Sequence, residues 1–130
     1  MKNKLIGTFI PSKKLSAEAV KVCEELLEID GMTLRSLHIQ SCCEHHYLDF
    51  EHFPKEELAR LKLIEKIDIT GVKGMGLNLR FYNGDSDVCI FVPGRGYNNG
   101  YYNSEIILVI QEKGVEKKFD VSEFQEEYYQ

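Results

Sequence analysis

The side chains best suited to chemistry are concentrated in one short stretch, residues 38–52, which holds all four histidines and two of the four cysteines. If this stretch is extended, alternate side chains share a face, so Cys43 and His45 could chelate one metal ion. The alternative ligand set, on the opposite face, comprises Cys42, Glu44 and His46. Thiolate and imidazole are zinc-type ligands, and three protein ligands with one open position are typical of catalytic zinc. A zinc-type metal-binding protein or metal-dependent enzyme is therefore one hypothesis.

The same residues allow nucleophilic catalysis. Cys43 would be the nucleophile, His45 or His46 the base, and Asp49 or Glu44 the group that orients the base. Catalytic cysteine and histidine usually meet from distant parts of a chain, whereas these are almost consecutive. The chain also lacks a second CxxC or HxxxH pair to complete a structural zinc site. We therefore favour a hydrogen-bonded or solvated polar strand, and predict no firm cofactor apart from the possibility of zinc.

A second candidate site is the glycine-, asparagine- and tyrosine-rich stretch 94–103, which we interpret as an interaction loop. Its contact residues would be Arg95, Tyr97, Asn99, Tyr101 and Tyr102. Arginine and tyrosine are enriched at interface hot spots, and tyrosine loses little conformational entropy when it binds. The alternative is a plain hairpin connection whose aromatic rings cover the edge of a sheet. Another glycine-rich stretch, 71–76, lacks the Gly-Lys-Ser/Thr ending of a phosphate-binding loop and is predicted to be a turn or bulge.

Composition limits the classes of function. The chain has 130 residues, of which 43% are hydrophobic and 28% charged, which fits a single domain over residues 1–130. A net charge of −5 and a pI near 5.4 argue against non-specific nucleic-acid binding. No apolar run approaches the roughly 18 residues of a membrane span. No export signal is evident, so we expect a cytoplasmic protein with reduced thiols, in which Cys23 and Cys89 are small buried hydrophobes.

Two helices are expected in the first half. Residues 17–29 carry apolar side chains at three- and four-residue spacing and end at Asp30-Gly31, which suits a helix C-terminus. Residues 55–64 follow Pro54, a favourable residue at a first helical turn. A short strand is expected at residues 5–10, and a half-buried strand at 33–40 that could continue through Cys42 and Cys43.

The second half is predicted to be β-structure. Apolar residues alternate around Ile67, around Leu79 and around Ile90, and residues 106–111 and 115–121 flank a Glu-Lys-Gly turn as in a β-hairpin. This order of elements predicts an α+β fold. It would have a mostly antiparallel sheet, with a β-meander in the second half and the two helices of the first half packed on one face.

Two short motifs resemble a family of small phage and bacterial proteins of unknown role. That family carries a Cys-Cys-Glu signature followed by Tyr-aliphatic-acidic, and a later Asn-Gly-Tyr-Tyr before a strand. The matching positions here are Cys42, Cys43, Glu44, Tyr47, Leu48, Asp49, Asn99, Gly100, Tyr101 and Tyr102. This chain departs from the family at His46, where an aliphatic residue is usual, and at Phe50, where an acid is usual. The resemblance implies a small α+β domain and an origin in a mobile element.

From these observations we expect a non-enzymatic protein-interaction or accessory module. Its partner would be another protein or a second copy of the chain, and we expect neither non-specific nucleic-acid binding nor membrane binding. The metal-binding protein or metal-dependent enzyme is the alternative.

Overall fold

Strands make up most of the structure. The computed structural model describes Asn3–Lys4, residues 21–29 and residues 31–129. Its strands are β1 (Asn3–Lys4), β2 (Lys21–Ile29), β3 (Met32–Gln40), β4 (His45–Leu48), β5 (Lys66–Val72), β6 (Gly76–Asn83), β7 (Ser86–Asn98), β8 (Ile107–Glu112), β9 (Val115–Asp120) and β10 (Glu126–Tyr129). Helix α1 (Lys55–Leu58) continues into a 3-10 turn (Ala59–Leu61).

The strands form two sheets. The first has the order β1-β5-β6-β7-β10, with β4 also paired to β7, and the second has the order β2-β3-β8-β9. Every pairing is antiparallel except that of β10 with β7. Strand β7 is unusually long: residues 86–93 pair with β6, and its remaining residues lie between β4 and β10. The candidate site lies on this second part of β7.

The core joins both sheets. Buried and partly exposed residues alternate along β3, as period-two side-chain direction requires. Leu34 on β3 and Leu79 and Phe81 on β6 belong to one cluster of buried apolar side chains, which also includes Leu48 and Leu108. Both sheets contribute side chains to this core, so the inner face of β4 packs against β3. This packing fixes the position of the histidine-rich stretch.

The predicted first helix is wrong over the part that the structure describes. Residues 21–29 form β2, which pairs with β3 along its whole length. Leu27 and Ile29 point into the core while Leu26 is exposed, which is the alternation of a strand. The three- and four-residue spacing of the apolar side chains in the sequence also fits a helix, and this led to the wrong prediction. A long antiparallel ladder outweighs helix propensity, which amounts to less than about 1 kcal/mol per residue for ordinary residues. The predicted strand at 5–10 and the helical residues 17–20 lie outside the described residues.

The predicted α+β class is also wrong, because a strand replaces the first predicted helix over residues 21–29. The structure is mostly β, with two sheets and one short helix of 7 residues among the described residues. That helix begins after Pro54 as predicted but ends at Leu61, well before Ile64. The strands of the second half lie where the alternation predicted them. They do not form one continuous meander, because β8 and β9 join β3 in the other sheet.

Within the described part of the chain, no helix has the length and apolar character needed to cross a membrane.

Candidate functional site

The Cys-Cys-Glu motif forms a bend closed by its own glutamate. The chain leaves β3 at Gln40, bends over residues 41–43 and enters β4 at His45. The backbone N–H of Ser41 donates to Glu44 Oε2 and that of Cys42 donates to Glu44 Oε1, both at 2.7 Å. The amide of Gln40 donates to the Glu44 carbonyl at 2.9 Å. Glu44 therefore satisfies backbone donors that a bend would otherwise leave unpaired.

Glu44 also holds a buried histidine. His38 Nε2 lies 3.1 Å from Glu44 Oε2, and His38 Nδ1 lies 2.8 Å from the carbonyl oxygen of Glu105. Both ring nitrogens of His38 thus have an oxygen partner within hydrogen-bond distance. Burial opposes ionisation of Glu44, but the N–H groups of Ser41 and Cys42 and the His38 ring outweigh it and lower its pKa to about 2. The ring and the carboxylate are thus buried together, and each is hydrogen-bonded.

A second buried histidine, His46, has partners that keep it neutral. The amide nitrogen of Gln125 donates to the carbonyls of Ser104 and Ser122, so its oxygen must accept the bond at 2.6 Å from His46 Nδ1. Asn98 Nδ2 donates to His46 Nε2 at 3.1 Å. Burial lowers the pKa of His46, and the nearby positive charge of His38 lowers it further, although the Gln125 bond opposes both. The two rings are 4.9 Å apart between centroids.

Asn98 connects this network to the second motif. Its side-chain oxygen accepts the N–H of Gly100 at 2.8 Å and that of Tyr102 at 3.4 Å, while its nitrogen donates to the Tyr102 carbonyl at 2.9 Å. The neighbouring Cys42 side chain raises the pKa of the Tyr102 hydroxyl. The Cys-Cys-Glu and Asn-Gly-Tyr-Tyr motifs, distant in sequence, therefore lie close together in the fold.

Glycines in β7 make room for the segment that carries Gln125. Gly94 and Gly96 both face inward. A Cβ on Gly94 would overlap the carbonyl of Phe124, and one on Gly96 would overlap the His46 ring and the Gln125 amide. The Gly-Arg-Gly sequence is thus explained by close packing beneath β7, and Arg95 between the glycines faces outward.

The outer face of β4, β7 and β10 is rich in tyrosine. We call it the tyrosine face and define it by His45, Tyr47, Arg95, Tyr97 and Tyr128. The rings of Tyr97 and Tyr128 stack at 5.0 Å and 18°, and those of His45 and Tyr47 lie 4.5 Å apart. In the strand register, Tyr97 lies opposite His45 and Arg95 lies opposite Tyr47. These side chains form one continuous surface.

Arg95 is held in place by an acidic neighbour, since its Nε donates to Asp49 Oδ2 at 2.9 Å. Partial burial raises the pKa of Asp49, but the guanidinium and the Glu51 N–H outweigh it, so the pKa lies below its ordinary value. The cation at the centre of the tyrosine face is therefore ordered and largely neutralised.

The predicted metal ligands point in different directions. Cys42 and Cys43 are exposed on the bend, Glu44 and His46 are buried, and His45 lies on the tyrosine face. Within the ranges that the structure describes, no three His, Cys, Asp or Glu side chains are grouped to hold a metal ion. The extended geometry assumed for the two ligand sets is wrong at residues 41–43, where the chain bends. The hydrogen-bond partners of His46 are Asn98 and Gln125, so its ring is engaged in the fold.

The predicted interaction loop is only partly a loop. Residues 94–98 belong to β7, so Arg95 and Tyr97 lie on a sheet face instead of a flexible connection. Asn99 accepts the N–H of Tyr101 at 3.2 Å within the following turn, and Tyr101 is 86% exposed. Tyr102 is half-buried beside the bend.

Sequence reasoning missed several residues of the site. His38 lies in the dense stretch but belongs to neither predicted ligand set, and Tyr47 belongs to a motif without a predicted role. Asn98 lies in the predicted interaction stretch without being one of its contact residues, and the sequence predicts no role for Gln125 or Tyr128. The expectation that Cys89 is buried is also wrong, because it is exposed. The side chain of Cys23 lies outside the described residues.

A groove of about 960 Å³ lies away from this site, between β5 and the β8–β9 hairpin. Its walls include Ile69, Ile110 and Phe119, and its ionisable residues include Lys66 and Lys117. The polar network and the tyrosine face lie on other parts of the fold.

Comparisons of the chain with protein-family models, curated proteins and solved structures gave no match. The resemblance to the phage and bacterial family therefore stays a prediction.

Proposed function

We propose that this chain is a non-enzymatic interaction module that binds a partner protein through the tyrosine face. The observation that carries the proposal is the ordered arrangement of Tyr47, Tyr97, Tyr128, His45 and Arg95 on one sheet surface. Aromatic and arginine side chains dominate the energy of protein interfaces. Here they are already held by stacking and by an ion pair, so less side-chain entropy is lost when a partner binds.

The charge of this face favours a protein over a polyanion. Arg95 is neutralised by Asp49, and Glu126 lies opposite Arg95 in the register with β10. The chain as a whole carries −5. Nucleic-acid binding needs an excess of positive charge, whereas a protein interface needs polar groups balanced around aromatic anchors. Tyr101, beside the face, would add an exposed anchor at its rim.

The buried network supports this proposal by its structural role. His38, Glu44 and His46 are engaged with Glu105, Asn98, Gln125 and the bend, which together fix β4 and β7 under the tyrosine face. Among the described residues, every buried side-chain nitrogen and oxygen has a hydrogen-bond partner. A rigid base of this kind is what an interaction surface of fixed shape requires. We also propose a cytoplasmic location, supported by the exposed thiols of Cys43 and Cys89, which form no disulfide.

Site-specific photo-crosslinking tests the proposal. A photoreactive amino acid replaces Tyr101 at the rim of the tyrosine face, and in the control it replaces Glu116, which is exposed on β9 in the other sheet. The expected result is one partner protein crosslinked from position 101 and not from position 116. The purified partner should then bind the wild type by calorimetry, and Tyr97→Ala should weaken binding at least about tenfold, as hot-spot truncation does.

Three results would contradict the proposal. Crosslinking could be equal at both positions, or the purified partner could bind Tyr97→Ala as tightly as the wild type. Elemental analysis of untagged protein could also show stoichiometric zinc that is lost in Cys43→Ser, which would favour the metal-binding alternative. A self-crosslinked dimer would identify the partner as a second copy of the chain, and calorimetric dilution would then measure its affinity.

A further inference from the structure

The side chains of the tyrosine face stand in two parallel rows that cross strands β4, β7 and β10. The strand register places three rings in the first row, which is aromatic throughout: His45, Tyr97 and Tyr128. The second row lies two residues away along each strand and consists of Tyr47, Arg95 and Glu126. Two residues of a strand span about 6.6 Å, so the rows lie side by side at about this distance. A chain segment that follows the rows therefore crosses the strands.

The length of the aromatic row matches one turn of a polyproline II helix. Neighbouring strands lie about 4.8 Å apart, so the outer positions, His45 and Tyr128, are about 9.6 Å apart across β7. A polyproline II helix rises about 3.1 Å per residue with about three residues per turn, so it repeats every 9.3 Å approximately. Residues i and i+3 of such a segment would therefore meet the two ends of the row, with Tyr97 between them.

The face is also rich in hydrogen-bond donors. The hydroxyls of Tyr47, Tyr97 and Tyr128 can each donate, and Arg95 has further N–H groups besides the Nε that donates to Asp49. A polyproline II segment has no internal hydrogen bonds, and its prolines have no N–H, so its carbonyl oxygens need donors from outside. The face and such a segment are therefore complementary in hydrogen bonding as well as in length.

The charge at the end of the second row selects a basic flank. Asp49 already neutralises Arg95, with 2.9 Å between Oδ2 and Nε. The exposed carboxylate of Glu126 then leaves the two rows with an excess of negative charge, in a chain that carries −5 overall. A basic residue beside the prolines would be attracted to Glu126, whereas an acidic residue there would be repelled.

We propose that the partner bound by the tyrosine face presents a proline-rich segment in the polyproline II conformation, flanked by a basic residue. This choice of partner rests on the proposed function, because it concerns the same face. A polyproline II segment is already ordered before it binds, so its docking on an aromatic surface costs little conformational entropy.

Isothermal titration calorimetry with synthetic peptides tests this choice of partner. The proline probe is a capped peptide of one arginine followed by prolines over about three polyproline II turns. One control peptide replaces the prolines by a Gly-Ser repeat of equal length, and the other replaces the arginine by glutamate. We expect the proline probe to bind with a Kd below about 1 mM. Both control peptides should bind at least about threefold more weakly.

Variants of the protein locate the binding surface. Tyr97→Ala should weaken binding of the proline probe at least about tenfold, and Glu126→Gln about two- to fivefold, as loss of an exposed ion pair does. Tyr82→Ala, on β6 away from the face, is the matched control and should leave the affinity unchanged. Circular dichroism confirms that each variant is folded. Tyr97→Phe, which keeps the ring, should lose less affinity than Tyr97→Ala.

Three results would overturn the proline-rich partner. The proline probe could fail to bind, the Gly-Ser peptide could bind equally well, or Tyr97→Ala could bind the probe as tightly as the wild type. Crosslinking from position 101 separates these failures from a failure of the proposed function. A crosslinked partner protein without binding of the proline probe rejects the proline-rich segment and retains the interaction module, whereas the absence of both rejects both.

Discussion

The clearest test of the buried network is Glu44→Gln, which removes the charge and keeps the shape of the side chain. A glutamine oxygen could still accept one backbone N–H of the bend, but its NH₂ group would face the remaining N–H and the His38 ring. The pKa of Glu44 falls from 4.5 to about 2 in the fold. At about 1.4 kcal/mol for each pH unit, the ionised carboxylate stabilises the protein by about 3 kcal/mol.

A buried hydrogen-bonding group left without its partner costs about 1–3 kcal/mol, and more where a charge is involved, which is of the same order as this figure. We therefore expect Glu44→Gln to lower the free energy of unfolding at pH 7 by about 3 kcal/mol. The chain has no tryptophan, so urea unfolding is followed by tyrosine fluorescence and circular dichroism. Glu51→Gln, at an exposed position after β4, is the control and should change stability by no more than about 0.5 kcal/mol.

The pH dependence gives a second, independent check. Because the pKa of Glu44 is lower in the folded state, its contribution is complete above about pH 4.5 and is lost as the pH falls towards 2. The stability difference between wild type and Glu44→Gln should therefore shrink from about 3 kcal/mol at pH 7 to about 1 kcal/mol at pH 3. A difference below about 1 kcal/mol at pH 7, or one undiminished at pH 3, would refute the reasoning.

Three further predictions concern the same core. Gly96→Ala should destabilise the protein by about 1–3 kcal/mol, because its Cβ would overlap the His46 ring and the Gln125 amide; an unchanged melting temperature would contradict that packing. Leu34→Ala should lower the free energy of unfolding in urea by about 2–5 kcal/mol, because Leu34 is 0% exposed. Leu63→Ala, at 55% exposure, should lower it by under about 1 kcal/mol. Equal losses for the two variants would contradict the burial of Leu34 in the core. Burial lowers the pKa of His46, so nitrogen NMR at pH 6.5 should show a mostly neutral ring with its hydrogen on Nδ1, and a cationic ring would contradict the network.

The strands of the second half could be predicted because their signal is local. Leu77, Leu79 and Phe81 are buried on β6 and alternate with more exposed neighbours, a period-two pattern that any window of the sequence contains. This local pattern does not indicate which of the two sheets each strand joins. The hairpin β8–β9 pairs with β3, more than sixty residues earlier. This pairing depends on how the whole core packs.

The error at residues 21–29 has a specific cause. Leu26 and Leu27 are adjacent, which fits a helix face but also fits a strand with one residue on each side. In the fold Leu27 is buried and Leu26 is exposed, so the strand is correct. The deciding interactions are the backbone pairs with β3, which periodicity alone does not reveal.

Residues 38–52 are dense in chemically active side chains, but the partners that these side chains meet in the fold could not be predicted from the sequence. Asn98 is 52 residues from His46 in sequence and Gln125 is 79 residues away. Asn98 lies in the 94–103 stretch but is not one of its predicted contact residues, Gln125 lies in no motif, and a single asparagine or glutamine has many possible roles. The metal hypothesis assumed that nearby ligands share a site, whereas the bend at residues 41–43 separates them and hydrogen bonds from distant residues engage His46.

The two buried histidines also differ in when their contacts can form during folding. His38 meets Glu44 across six residues, whereas His46 meets Gln125 only after 79 residues of chain have been brought together. Closing a short loop is fast and closing a long one is slow, so the His38–Glu44 contact belongs to an early step. The His46–Gln125 contact belongs to a late one, as does the bond from His38 to Glu105, 67 residues away. In a chevron analysis, substitution of Glu44 should mainly slow folding, whereas substitution of Gln125 should mainly speed unfolding. The polar network would then form in two steps, with the His38–Glu44 contact first and the long-range contacts second.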